Sequence, residues 1–453
     1  YFMKLTKYMK EFEIDKEKSI IMNSLTGAID VISKNLLAEI MQGKIEESNE
    51  AVVDNLKKRG YLVKDDAEDV QRLNKLVRTL DKMELGTFIL CVTYKCNLNC
   101  TYCFEDKEVK NQRYFLSEID VEKIFEVIDQ LKKERGFSKI SILLYGGEPF
   151  LPGAKKIVQY IFERSKLEGY VIQAISNGTS IVEYKNIFVK YRDIIRNIQI
   201  TLDGNKEYHN KTRKYHSGAG SFDDIVRGID MCVALEIAVN LRVNVGKNNI
   251  ESLDELLTFI EEKKWPMVDK FICQLAPITD HFCTGMVEEW LPEHIILEKL
   301  YPMLKKHQGI KIRLGTDMEK RISVLKNVLT NSKVKTLSCL PCSAALRNYF
   351  VFGAEGNIYA CPETVGIKEQ SIGVFKPDFE IYEEKENVWR RNIINIEKCS
   401  NCDVAGVCGG GCTWSAIATN GNNFEEAKCN YAHETIETFF DINREYFETL
   451  ANG

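Results

Sequence analysis

The chain has 453 residues, long enough for two or three domains with a sizeable core. Its net charge is −5 with Lys and Arg dispersed, which excludes the basic footprint of a nucleic-acid partner. No stretch reaches the ~18 uncharged apolar residues of a membrane helix and no secretory signal pattern opens the chain, so a cytoplasmic protein with no membrane association is expected. Thiols stay reduced there, so the 15 cysteines point to metal or cluster ligation rather than disulfides.

Residues 1–85 read as a small module of their own. Residues 10–15 and 19–23 could pair as strands, and 25–32 continues as a third after a turn at Gly27. Leu36, Leu37, Ile40 and Met41, then Val52, Val53 and Leu56, carry helical spacing before Gly60 ends the second helix and residues 61–63 return as a strand. This order predicts a winged-helix-like domain. Glu39, Glu46, Glu47, Glu50 and Asp54 on its helices would repel phosphate, so a peptide added to an exposed strand edge is the better partner. The module resembles the precursor-peptide recognition domain of enzymes that modify ribosomally made peptides, which implies a precursor peptide bound through its leader. A structural appendage without a ligand is the other reading. Residues 65–83 are charged and helical, as a linker would be.

From 86 to 277 strand and helix alternate six times, with strands near 87–93, 139–145, 170–176, 197–202, 238–245 and 269–276. Ser117 caps the first helix, Asp120 sits in its first turn, and Val121, Ile124, Phe125, Ile128 and Leu131 form its apolar stripe. Residues 278–335 form a mostly helical bridge and 336–453 a cysteine-rich domain. The expected class is α/β, a partial (β/α)6 barrel between a winged-helix-like domain and a cysteine-rich one, with the site at the carboxyl ends of the strands.

Cys96-x3-Cys100-x2-Cys103 follows the apolar run 88–92, with Tyr102 and Phe104 beside its last cysteine. Three thiolates on one short loop suit three corners of a [4Fe–4S] cluster and leave the fourth iron open. Zinc is the alternative, but a structural zinc takes a fourth protein ligand. The loop resembles the signature of the radical S-adenosylmethionine (SAM) superfamily. That resemblance gives roles to the strand ends. Gly146, Gly147 and Glu148 in Tyr145-Gly146-Gly147-Glu148-Pro149 would meet the SAM amino group, with the glycines allowing close backbone approach to the ligand and the carboxylate ready for a cation. Ser176 and Asn177 would contact the ribose, and Thr201 and Arg213, with His209 nearby, would serve as SAM-carboxylate or substrate contacts.

Cys339-x2-Cys342 and Cys361, then Cys399-x2-Cys402-x5-Cys408-x3-Cys412 and Cys429, supply thiolates for two zinc ions or two clusters. Their spacing resembles the SPASM extension of peptide-modifying radical SAM enzymes. By that resemblance Cys342, Cys361 and Cys412 hold one auxiliary cluster and Cys399, Cys402, Cys408 and Cys429 a second. Cys339 either completes the first or leaves an iron open to a substrate thiolate. Cys91 and Cys232 read as core residues, and Cys273 and Cys283 as candidates for substrate-facing groups. The six histidines show no metal-ligand pairing.

The resemblance therefore implies three [4Fe–4S] clusters, SAM, and an external electron donor of the flavodoxin or ferredoxin kind. The implied reaction joins a Cys sulfur to an acceptor-residue carbon in a precursor peptide, as in sactipeptide and ranthipeptide maturases. Carbon–carbon or carbon–oxygen cross-linking, sulfatase maturation, and a non-catalytic iron–sulfur peptide-binding protein are the alternatives.

Overall fold

The computed structural model describes residues 3–44, 50–81, 84–103, 114–279, 288–330, 340–420 and 427–452. Glu46, Glu47, Phe104, Cys283 and Cys339 lie outside the described residues. One 11-stranded sheet organises the chain. Its middle holds Leu85–Thr93, Lys139–Gly146, Val171–Ser176, Ile195–Thr201, Val239–Val245 and Phe271–Pro277, adjacent in chain order and all parallel. The short strand Ile312–Leu314 extends one edge in parallel, inside a segment otherwise occupied by the helices Glu293–Lys306 and Thr316–Leu329. At the other edge Tyr349–Phe352 pairs in parallel with Leu85–Thr93 and leads an antiparallel run through Asn357–Tyr359, Ser371–Val374 and Glu380–Ile381.

The first barrel helix, Glu118–Arg135, starts as its sequence dictates. Ser117 and Asp120 form a reciprocal capping box, and Gly136 ends the helix in the left-handed region at φ 75°. Val121, Ile124, Phe125, Ile128 and Leu131 are buried against the sheet. Alternation along Val239–Val245 sets the two faces of the barrel wall. Val239, Leu241, Val243 and Val245 are buried outward under helices, which leaves Asn240, Arg242 and Asn244 on the opposite face, with side chains of the neighbouring strands. Asn240 donates to Gln199 Oε1 and Gln274 Oε1, both at 3.3 Å, and Gln173 donates to Ser141 Oγ at 2.7 Å.

In the N-terminal region Met9–Glu13, Lys18–Asn23 and Ile29–Ser33 form an antiparallel three-stranded sheet, and Lys4–Leu5 pairs with Leu62–Val63. Helices Lys34–Met41, Glu50–Lys58 and Asp66–Asp81 complete it. This region is fused to the C-terminal one through a shared core. Phe12 stacks on Phe440 at 4.5 Å, and Tyr8, Leu25 and Leu73 are buried together with Leu340, Cys399 and Ala405. No helix among the described residues is long and apolar enough to cross a membrane.

Candidate functional site

The strand Leu85–Thr93 delivers the loop that carries Cys96, Cys100 and Cys103 to the carboxyl edge of the sheet. There Leu98–Cys100 pairs antiparallel with Arg213–Tyr215, tying the loop to the exit of the fourth strand. All three cysteines are partly exposed.

The two glycines after the second strand serve that loop directly. Gly146 has φ +116°, and a Cβ there would lie 2.2 Å from Thr93 O. A Cβ on Gly147 would lie 2.4 Å from both Tyr94 O and Lys95 O. The close approach expected toward a ligand is thus, in this chain, an approach to the cysteine loop's own backbone, sealed by Gly147 N–H to Thr93 O and Glu148 N–H to Lys95 O, each 2.9 Å. Nor does the Glu148 carboxylate stand open to a cation. It is fully buried and accepts from Phe150 N–H at 2.9 Å, Ser176 Oγ at 2.8 Å and Asn177 N–H at 2.6 Å. Burial pushes its pKa up to about 7 despite those bonds. Glu148 therefore fixes the Ser176–Asn177 turn, and Asn177 in turn reaches the cysteine loop, with Nδ2 2.8 Å from Asn97 Oδ1 and 3.6 Å from Cys96 Sγ.

A second network binds the loop from the fourth and fifth strands. Tyr102 donates its hydroxyl to Asp203, Arg213 Nη1 donates to Tyr102 Oη at 2.7 Å, and Asn244 Nδ2 donates to the same oxygen at 3.2 Å. Asp203 is fully buried, accepts Asn244 N–H at 2.7 Å, and lies 3.8 Å from Arg213. Burial opposes the Arg213 charge, but Tyr102, Cys100 and Asp203 outweigh it and hold the pKa well above its ordinary value. His209 is buried and held neutral by that burial, its pKa well below the usual range. Its Nδ1 accepts Asp203 N–H at 3.1 Å, so the proton sits on Nε2, which donates to Ser221 Oγ at 3.0 Å; that hydroxyl donates to Arg213 O at 2.5 Å. His209 thus positions Asp203 and Arg213 from behind. Thr201 closes the fourth strand, opposite Arg242 in register.

The C-terminal cysteines fall into two neighbourhoods. Cys342, Cys361 and Cys412 lie within electrostatic reach of one another, as do Cys399, Cys402, Cys408 and Cys429. Cys342 is exposed to the cavity, whereas burial pushes the Cys399 thiol up to about 12 and Cys402 to about 11. Gly409, Gly410 and Gly411, with φ of +74°, +84° and +77°, bring the sets together. A Cβ on Gly411 would lie 1.8 Å from Lys428 O, next to Cys429, and one on Gly409 would lie 2.5 Å from Leu340 O, close to Cys342. No L side chain fits that ribbon.

All seven of these cysteines line one cavity of about 2240 Å³, together with Arg242 and Gln274 from the barrel. The donor set fits iron–sulfur clusters better than zinc. A tetrahedral zinc with Zn–S of ~2.3 Å holds its sulfurs about 3.8 Å apart. Among the described residues no three cysteine sulfurs lie within 4.8 Å of one another; the one such group of potential ligands is Cys402, Asp403 and His433. Sequence spacing had given no histidine a metal-site partner, yet His433 Nε2 lies 3.5 Å from Cys402 Sγ. Only the fold brings the two together. Arg242 and Asn244 belong to no motif, and their one signal in the sequence is the polar residues that alternate with valines and leucine in 239–245. Cys91, Cys232 and Cys273 are buried in the core, and burial pushes the Cys232 and Cys273 thiols up to about 12, so Cys273 faces packing rather than the cavity.

Comparison with known proteins agrees with this geometry. Residues 90–260 match the model of the radical SAM superfamily. A cysteine-type anaerobic sulfatase-maturating enzyme of Clostridium novyi (strain NT) is 25% identical over 385 residues, covering 79% of this chain and 95% of that protein. Among solved structures, native anSMEcpe with bound AdoMet superposes with a TM-score of 0.61 at 20% identity, over 82% of this chain and 100% of that one. Streptococcus suis SuiB bound to precursor peptide SuiA superposes with a TM-score of 0.53 at 14% identity, over 94% and 98%. The three-cysteine loop and the strand ends that hold it thus lie within the segment that matches the radical SAM superfamily.

Proposed function

We propose that the protein is a radical SAM maturase that installs thioether cross-links, Cys sulfur to acceptor-residue carbon, in a ribosomally made precursor peptide. Cys96, Cys100 and Cys103 would hold the SAM-binding [4Fe–4S] cluster, and the two C-terminal sets would hold auxiliary clusters. When bound and reduced by an external flavodoxin or ferredoxin-like donor, SAM and that cluster supply a 5′-deoxyadenosyl radical able to take hydrogen from an unactivated carbon. The chain's part is to orient and to exclude water. Gly146, Gly147, Glu148 and Asn177 fix the cysteine loop, and Tyr102, Asp203 and Arg213 fix its far end. Arg242 and Gln274 line the cavity toward the cysteines, where a polar peptide segment could be held.

The observation that carries this reading is the single cavity of about 2240 Å³ shared by barrel residues and seven cysteines, large enough for a peptide loop and open to sulfur ligation. The N-terminal sheet, with Ile29–Ser33 at one edge, offers a strand for a leader, in keeping with the winged-helix-like reading. Sulfatase maturation is the second reading, favoured by the sequence relative from Clostridium novyi. That match leaves about a fifth of this chain uncovered, whereas the precursor-bound SuiB structure aligns over 94% of it. The test is mass spectrometry of a Cys-containing precursor after anaerobic incubation with reconstituted enzyme, SAM and reductant. Loss of two hydrogens per cross-link with those cysteines blocked to alkylation supports the thioether. The same loss with every cysteine still alkylatable supports a carbon–carbon or carbon–oxygen link, and conversion of a sulfatase peptide alone supports the second reading.

A further inference from the structure

The chain has four tryptophans. Trp265, Trp389 and Trp414 are 1%, 3% and 7% exposed, whereas Trp290 keeps 37% of its surface open beside Tyr431 at 40%. Both line the cavity of the cysteine sets, and their ring centroids lie 6.0 Å apart with 39° between the planes. His294 backs Tyr431 at 5.1 Å. Folding gains little from two large rings left half open, so their place on a cavity wall has another cause.

Each ring stands on fixed backbone. Glu289 O accepts Lys247 N–H at 2.8 Å, and a Cβ on Gly246 would lie 2.6 Å from the same oxygen, so Trp290 is tied to the end of the strand Val239–Val245. On the other side Asn430 and Tyr431 follow Cys429 with φ of +41° and +57°. Asparagine enters the left-handed region at little cost, and a bulky ring residue does not. Arg321 Nη1 donates to Asn430 O at 2.9 Å and Ala432 N–H to Cys429 O at 3.0 Å, while Tyr431 O accepts Thr435 N–H at 2.9 Å and Thr435 Oγ1 at 2.7 Å. Glycine or asparagine at 431 would place Cys429 as well and with less strain. What the strained tyrosine adds is a ring against Trp290.

The carboxylates that flank Trp290 are already engaged, Glu289 by the Tyr208 hydroxyl and Glu293 by Arg321. Glu434, three residues beyond Tyr431 in the helix Ala432–Ile442, is exposed. Resting on the peptide-maturase reading above, we propose that Trp290 and Tyr431 form a subsite for an aromatic side chain of the peptide substrate. The subsite lies between the end of the fifth barrel strand and the second cysteine set, Cys399, Cys402, Cys408 and Cys429, on the wall of the cavity that Arg242 and Gln274 also line. A ring seated there anchors the peptide within that cavity and selects substrates that carry an aromatic residue near the stretch to be modified.

The test is a ligand-observed NMR titration of the reconstituted full chain with three probes, Ac-Gly-Phe-Gly-amide, Ac-Gly-Lys-Gly-amide and Ac-Gly-Ala-Gly-amide, without SAM or reductant. The Phe probe is expected to bind about tenfold or more tighter than the Ala probe, as burial of a large apolar side chain gives. Trp290→Ala and Tyr431→Asn are each expected to reduce that ratio to about threefold or less, and Trp290→Phe, which keeps a ring face, to preserve most of it. Because asparagine tolerates the left-handed backbone, Tyr431→Asn is expected to unfold no earlier than the wild type in a thermal melt. Equal binding of the Phe and Ala probes, or a Phe preference that survives both ring deletions, overturns the proposal. So does tighter binding of the Lys probe, the result Glu434 would favour, or a Tyr431→Asn chain that melts earlier. The probes need no turnover, so the two readings fail separately. A chain that prefers Phe yet forms no 5′-deoxyadenosine loses the maturase reading, and one that modifies peptides without the Phe preference loses the subsite.

Discussion

Gly406 packs so tightly on Ser24 that a Cβ on the glycine would lie 2.3 Å from the Ser24 carbonyl oxygen. Gly406 belongs to the helix Ala405–Cys408 of the second cysteine set, and Ser24 to the turn after the strand Lys18–Asn23. The N-terminal region is therefore a wall of the cysteine site as well as a candidate peptide binder. Gly406→Ala is expected to destabilise the iron-free protein by about 1–3 kcal/mol, as overpacking does, read from denaturant unfolding. Removing residues 1–80 is expected to lower auxiliary iron as well as peptide turnover. Substitutions on the exposed face of Ile29–Ser33, at Val31 for example, are the cleaner test of leader binding.

Arg213 is the cation closest to the buried Asp203, 3.8 Å away and joined to it through the Tyr102 hydroxyl. Arg213→Met would leave that carboxylate without its cation and is expected to cost about 3–5 kcal/mol of stability. Tyr102→Phe removes one hydrogen-bonded hydroxyl and is expected to cost about 1–3 kcal/mol. Unfolding of the iron-free proteins, together with SAM binding by calorimetry, reads both.

His209 and Glu148 give opposite pH dependences. His209 is neutral when folded, with its pKa depressed below the unfolded value near 6.5, so stability is lost as pH falls below ~6.5. Glu148 has its folded pKa raised to about 7. The folded state then binds more protons than the unfolded one between ~4.3 and that value, and stability falls as pH rises through this window. Urea unfolding at pH 5 and pH 8 separates them. His209→Gln should flatten the loss on the acid side, and Glu148→Gln the loss on the neutral side.

Arg242 lines the cavity with its Nε donating to Asn244 Oδ1 at 2.8 Å and its strand neighbours polar. Arg242→Gln is expected to leave 5′-deoxyadenosine formation without peptide unchanged and to lower peptide turnover about tenfold or more, the worth of a charged hydrogen bond. Steady-state kinetics with and without peptide would show it.

Local chemistry carried much of this arrangement into view. The six parallel strands follow from runs such as 87–93 and 139–145 and from caps such as Ser117, because period and capping are local properties. The strand-end motifs were visible for the same reason. Their contacts were not. Gly146 and Gly147 turn out to make room for Thr93, Tyr94 and Lys95, and Glu148 to face its own chain, since a motif specifies a backbone shape but not which backbone fills it. His433 meets Cys402, and Tyr8 lies beside Cys399 and Cys402, only because distant segments share one core, which no spacing encodes.

The most direct measurement is 5′-deoxyadenosine formation by the anaerobically reconstituted, reduced protein with SAM. The account predicts its release by the wild type and its loss in Cys96→Ala, Cys100→Ala and Cys103→Ala, with auxiliary iron retained in all three. A fully iron-loaded wild type that leaves SAM intact under reducing conditions, with or without a precursor peptide, would contradict it.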